Sequence, residues 1–287
     1  MHEVLAKSIL SPHNGMNIYR GCTHGCIYCD SRSLCYQFTH PFEDIEVKVN
    51  APVLLEAALK SKRKKCMIAT GSMCDVYIPL EQKIGLMRHC LEIINQYGFG
   101  LAIQTKSDLM LRDLDLLKSI NRQAKTVVQI TLTTADDALC RLIEPHVCVT
   151  SRRIEMLQIM KEAHIPTVVW LDPILPYIND TEENIRALLQ ACIDANVVGI
   201  ICFGMGLTLR EGNREYYYEQ LDTLFPGLKR EYIKRYGLQY QVLSDNNNRL
   251  MEIFHETCKE HGIMDDPNQI FKYMGTFPAP YEQLSLL

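Results

Sequence analysis

Apolar positions along the chain switch repeatedly between two periods. Residues 66–69, 100–104, 126–131, 166–171 and 197–203 are short runs dense in β-forming side chains and predict strands, as does Asn17-Ile18-Tyr19 nearer the start. Between them lie longer stretches with helical spacing. Residues 84–97 carry Leu86, Met87, Cys90, Ile93 and Ile94 on one face, and Gly98 is placed to end that helix. Residues 112–120 and 151–163 read as helices, and a further helix is expected between the first two strands. Thr181 is placed to cap another, with Glu182 and Glu183 in its first turn. Strands joined by helices at this rhythm imply a parallel sheet with right-handed crossovers. Six units fall short of the eight in a closed barrel. The expectation is an α/β fold: a partial (β/α)6 TIM-like barrel over residues 1–204. Residues 205–287 are then a mostly helical extension packing on the barrel, with helices near 214–224 and 248–261.

Composition narrows the class. The chain has 287 residues, 47% of them hydrophobic, enough for one large core. No apolar run approaches the roughly 20 residues that span a bilayer. The formal charge of −4 gives no support to nucleic-acid binding, which stays open only through a local patch. The basic run at Lys60, Lys62, Arg63, Lys64 and Lys65 reads better as a solvated helix end than as a phosphate site. Twelve cysteines without a visible secretory leader predict a reducing compartment, the cytoplasm, and no disulfides.

Three of those cysteines stand together in Gly21-Cys22-Thr23-His24-Gly25-Cys26-Ile27-Tyr28-Cys29. Structural zinc wants four ligands, and the chain has no second C-x-x-C pair. Three thiolates at C-x-x-x-C-x-x-C spacing suit three irons of a 4Fe-4S cluster, with the fourth iron left open. The loop follows the first predicted strand, and functional residues of parallel barrels gather at the carboxyl ends of strands. The other strand ends therefore matter. After the second comes Gly71-Ser72-Met73-Cys74-Asp75-Val76-Tyr77, then Glu81, with Asp75, Tyr77 and Glu81 as polar candidates. After the third comes Lys106, whose ammonium suits a carboxylate ligand. Thr131, Thr133 and Thr134 end the fourth, and Asp172-Pro173 ends the fifth. Arg153 is a candidate for an anion or for a pair with Glu144. Tyr216, Tyr217, Tyr218, Tyr232, Tyr236 and Tyr240 form a tyrosine-rich tail, which reads as packing more readily than as base stacking.

The cysteine triplet resembles the signature of the radical S-adenosylmethionine (SAM) superfamily. Asn17-x-Tyr19-Arg20-Gly21-Cys22 through Cys29, Asp75-x-Tyr77-x-Pro79-x-Glu81, Thr105-Lys106-Ser107 with Arg112-Asp113, Glu144-Pro145 and Arg152-Arg153 are similar to spore photoproduct lyase and its uncharacterised relatives. The resemblance implies that Cys22, Cys26 and Cys29 ligate the cluster and that SAM chelates the open iron. Tyr28, Gly71, Ser72, Lys106 and Thr131 would contact SAM, with the Gly71-Ser72 turn at its amino group and Lys106 at its carboxylate. Reduced flavodoxin or ferredoxin would supply the electron, and a 5′-deoxyadenosyl radical would take a hydrogen atom from a substrate. Cys74 is a candidate hydrogen donor, two residues from where the lyase's donor falls, and Tyr77 a candidate substrate contact. DNA lesion repair and a non-catalytic iron–sulfur protein remain the alternatives. No residue near the triplet names the substrate.

Overall fold

The computed structural model describes residues 1–278. Its centre is a sheet of six parallel strands: Gly15–Met16, Met67–Thr70, Gly100–Thr105, Thr126–Thr131, Thr167–Trp170 and Gly199–Ile201, paired in chain order. Helices Ala51–Ser61, Leu86–Gln96, Leu114–Gln123, Thr150–Glu162 and Glu182–Asp194 lie in the crossovers. Ile68, Leu101, Ile103, Val128, Ile130, Val169 and Ile200 share one apolar core with those helices. The alternate positions Met67, Ala102, Val127, Val168 and Ile201 join a second cluster with Ile270 and Met274. Both faces are covered, so the strands read as nearly continuous apolar runs. The two outermost strands pair with other segments: Leu10 bridges Met16 on one edge and Met264 bridges Gly199 on the other. The sheet is thus a partial, open barrel of the expected α/β class.

The first strand departs from expectation. Gly15–Met16 joins the parallel sheet, two residues before the predicted run. Ile18 gives its carbonyl to Lys48 N instead, at 3.0 Å, and Tyr19–Arg20 runs antiparallel to Glu46–Lys48. Glu46–Lys48 also pairs in parallel with His2–Val4. The chain therefore leaves the barrel before entering the cysteine loop, and a small separate sheet carries the loop's first residues.

Beyond the sixth strand the chain is helical, with one addition. Gly206–Thr208 and Gln241–Leu243 form an antiparallel pair, with helices Asn213–Leu224 and Leu228–Tyr236 between them. Tyr217, Tyr218, Tyr232 and Tyr236 pack with Cys26, Ile27 and Tyr28, so these tail tyrosines support the cysteine loop as packing. Tyr217 donates to Tyr232, which donates to the Pro176 carbonyl at 2.8 Å. Helix Asn247–His261 packs on helix Glu182–Asp194. A last helix, Pro267–Gly275, begins with Asp266 accepting from Asn268 N and with Pro267 in its first turn. It lays Ile270 and Met274 against the barrel's second cluster and so covers part of the opening. Residues 279–287 of the expected extension lie outside the described residues.

Candidate functional site

Strand ends on one side of the sheet converge on a cleft lined by Cys22, Cys26, Cys29, Gly71, Ser72, Cys74, Lys106 and Thr131, together with His24, Ser31, Met73, Asp75, Gln104 and Thr105. The turn after Met67–Thr70 approaches the neighbouring strand closely. Gly71 has φ +96°, and a Cβ there would lie 2.0 Å from the Gln104 carbonyl oxygen, so only glycine fits. The cysteine loop is held on two sides. Cys22 N donates to the Phe42 carbonyl at 3.2 Å, while Ile27 N donates to Ile143 O and His146 N to His24 O.

Two polar groups tie the loop to the strand ends. The Asp75 carboxylate accepts from Tyr77 N, Thr105 Oγ1 and Lys106 N, each at 2.8 Å, and faces His24 Nδ1 at 3.5 Å. Burial works against a charged His24, but Asp75 and Cys22 outweigh it and raise its pKa. On the other side Glu144 pairs with Arg153 at 2.6 Å, both fully buried, and accepts from the Tyr28 hydroxyl. Arg153 also donates to the carbonyls of Cys148 and Thr131. Lys106 Nζ stands 4.0 Å from Glu144 and 5.5 Å from the Tyr28 ring centre. Burial opposes its charge, yet Cys26 and Glu144 hold its pKa above the ordinary lysine value.

The cysteines differ in environment. Burial pushes the Cys26 and Cys29 thiols up. Cys74 lies close to Cys22, and this neighbour, with His24, holds the Cys22 thiol well below the usual range, while Cys22 and burial push Cys74 up. Cys74 Sγ also donates to the Gly21 carbonyl at 2.6 Å. Among the described residues, one set of three His, Cys, Asp or Glu ligand atoms lies within 4.8 Å of one another, and it is not the cysteines. Sulfurs around a single zinc, bonded at about 2.3 Å each, would lie closer than that limit. The spread of these three suits a group larger than one ion, and the all-thiolate donor set is that of an iron–sulfur cluster.

Several expectations change. Tyr77 does not reach the cleft: its side chain is fully buried, and its hydroxyl donates to Asp113 at 3.1 Å. Glu81 is likewise buried, accepting from Tyr19 and Arg112. The phenol of Tyr28 is directed to Glu144 rather than free for a ligand. Arg153 pairs with Glu144, one of its two predicted uses. His24, Ser31 and Gln104 had no assigned role by sequence, and only the meeting of separate strand ends brings them in. Asp172 lines an adjoining recess with Lys106, Ser72, Phe203 and Tyr240, and burial pushes its carboxyl up to about 6. The Asp172-Pro173 pair at a strand end was its sequence signal.

Comparison with known proteins agrees with this geometry. The model of the Radical SAM superfamily matches residues 16–192, which is most of the chain, and the chain belongs to that superfamily. Membership implies an iron–sulfur cluster and SAM. An uncharacterised protein of Mycobacterium tuberculosis is 29% identical over 255 residues, covering 82% of this chain and 73% of its own. An uncharacterised protein of Methanocaldococcus jannaschii is 34% identical over 169 residues, 58% of this chain and 62% of its own. Among solved structures, spore photoproduct lyase complexed with dinucleoside spore photoproduct superposes with a TM-score of 0.64 at 14% identity, covering 92% of this chain and 80% of that one. The fold is therefore that of spore photoproduct lyase, and at this identity the likeness extends to the fold alone. No helix among the described residues is long and apolar enough to cross a membrane.

Proposed function

We propose that the protein is a radical SAM enzyme acting on a substrate not yet identified. The observation that carries this reading is the single cleft in which Cys22, Cys26, Cys29, Gly71, Ser72, Lys106 and Thr131 meet. When bound, a 4Fe-4S cluster and SAM would supply the radical chemistry that removes a hydrogen atom from substrate. Cys22, Cys26 and Cys29 hold the cluster. The carbonyls of the Gly71-Ser72 turn would receive the amino group of SAM, and the Lys106 ammonium its carboxylate. Asp75 fixes the backbone on which Lys106 sits, since its carboxylate accepts from Lys106 N. Glu144 faces that charge at 4.0 Å and, after Cys26, supports the ammonium form against the cost of burial. The recess lined by Asp172, Phe203, Thr208 and Tyr240 adjoins the cleft and offers the substrate a place beside it. Reduced flavodoxin or ferredoxin supplies the electron, and Cys74 is the candidate thiol for returning a hydrogen atom.

A second reading is a non-catalytic iron–sulfur protein that serves electron transfer or sensing, for which Cys74 on the cleft wall offers a further thiol. SAM decides between the two. In the enzyme reading, adding SAM to the reduced, cluster-loaded protein changes its electron paramagnetic resonance spectrum; a spectrum indifferent to SAM favours the second. Repair of a DNA lesion is a narrower form of the first reading. It rests on the likeness to spore photoproduct lyase, a likeness of fold.

A further inference from the structure

The small sheet beside the cysteine loop brings two histidines and a glutamate together. His2 and Glu46 are direct partners across the parallel pair His2–Val4 and Glu46–Lys48. The loop before Glu46 returns His40 to the same spot. One ligand atom from each of His2, His40 and Glu46 lies within 4.8 Å of the other two. The imidazole rings are 4.8 Å apart, edge to face.

Proximity alone is common on protein surfaces. What sets this cluster apart is the use of the remaining ring nitrogens. His2 Nδ1 is 3.0 Å from Asp44 Oδ2, and His40 Nδ1 is 3.0 Å from the Pro41 carbonyl. A metal-binding histidine typically gives its other N–H to a carboxylate or a backbone carbonyl, which fixes its tautomer and ring orientation. With both Nδ1 positions so engaged, Nε2 is the ligand atom left on each ring. His40 Nε2 is 2.8 Å from Glu46 Oε1, a contact that carries a proton which an ion taking both groups displaces.

We infer that His2, His40 and Glu46 form a binding site for a divalent transition ion, separate from the cysteine cleft. Two imidazoles and one carboxylate suit zinc or a neighbouring first-row ion better than magnesium or calcium, which prefer oxygen ligands. Solvent completes the shell on the side where His2 is exposed. Arg20 Nη1 also holds Glu46 Oε1, at 3.1 Å, and an ion bound there shares that carboxylate with it. The guanidinium charge opposes the ion and limits affinity. The ion joins strand His2–Val4 to strand Glu46–Lys48 and to the loop between His40 and Asp44. That loop carries Phe42, whose carbonyl accepts from Cys22 N. The site thus braces the segment behind the first cysteine.

The test titrates zinc(II) into the cluster-loaded protein by calorimetry, with iron content measured before and after. X-ray absorption at the zinc edge follows on the one-equivalent complex. The expected result is one zinc per chain, iron retained, and a shell of nitrogen and oxygen only. Asp44→Asn weakens binding by about 10–100-fold, as loss of an outer-shell partner does, and His40→Ala weakens it further. Absence of zinc uptake, sulfur in the zinc shell, or wild-type affinity in His40→Ala overturns the assignment. Should His40→Ala fail to retain iron, His40→Gln answers the same question on a folded protein.

Discussion

Glu144 and Arg153 form an ion pair 2.6 Å long with neither side chain exposed to solvent. Arg153 reaches it from the helix Thr150–Glu162 and Glu144 from the end of Asp137–Ile143, while Tyr28 donates to the same carboxylate from the cysteine loop. One buried pair therefore connects the loop, the end of the strand Thr126–Thr131 and the neighbourhood of Lys106. Removing one partner leaves the other charge buried and unpaired, which costs about 3–5 kcal/mol. Arg153→Met should lose about that much in urea unfolding. The double variant Glu144→Gln/Arg153→Met should recover part of the loss, because no buried carboxylate is left without its guanidinium and only the partly exposed Lys106 loses a neighbour.

Gly71 tests the floor of the cleft. Its left-handed backbone alone costs an alanine about 1–2 kcal/mol, and the Gln104 carbonyl occupies the place of the added methyl. Gly71→Ala should lower the melting temperature and weaken SAM binding by calorimetry. Gly85→Ala also sits at positive φ, but with no atom within 4 Å of its Cβ, so it isolates the backbone cost from the steric one.

Tyr77 and Lys106 separate structural from ligand-binding roles. Tyr77→Phe removes a buried hydrogen bond to Asp113 and should cost about 1 kcal/mol in stability. Its SAM cleavage should stay near wild type once folded protein is compared. Lys106→Met should weaken SAM binding by roughly tenfold or more, about the 1.5–3 kcal/mol of a hydrogen bond to a charged group. Lys106→Arg keeps the charge and should restore part of it.

Asp172 gives the protein a defined pH response. Burial raises its folded pKa from 3.8 to about 6, so folding binds a proton between those values. This contribution to stability is fully present below the unfolded pKa and is lost as pH rises through 6. Asp172→Asn removes the titration. Its melting temperature relative to wild type should therefore increase from pH 4 to pH 7, measured by calorimetry across that range.

The barrel was legible because its strands are apolar on both faces and separated by helices of regular period. The first strand was misplaced by two residues because Ile18 and Tyr19 are as buried as barrel residues, yet bond to Glu46–Lys48. Partners in a second sheet leave no trace in a local pattern. The pair Gly206–Thr208 and Gln241–Leu243 was missed because two helices separate its strands. In the cleft, the cysteines, Gly71, Ser72, Lys106 and Thr131 stood at strand ends and could be placed by that rule. Asp75 stood out as polar, but its three hydrogen bonds arise only where two loops meet. Tyr77 was on the right loop and points into the core, a distinction that sequence position does not encode.

The most direct test of the central claim is anaerobic reconstitution with iron and sulfide, followed by dithionite and SAM, with 5′-deoxyadenosine as the readout. The wild-type protein should yield 5′-deoxyadenosine and Cys26→Ala none. A fully reconstituted wild-type cluster that yields none, or a Cys26→Ala variant that still cleaves SAM, would contradict that claim.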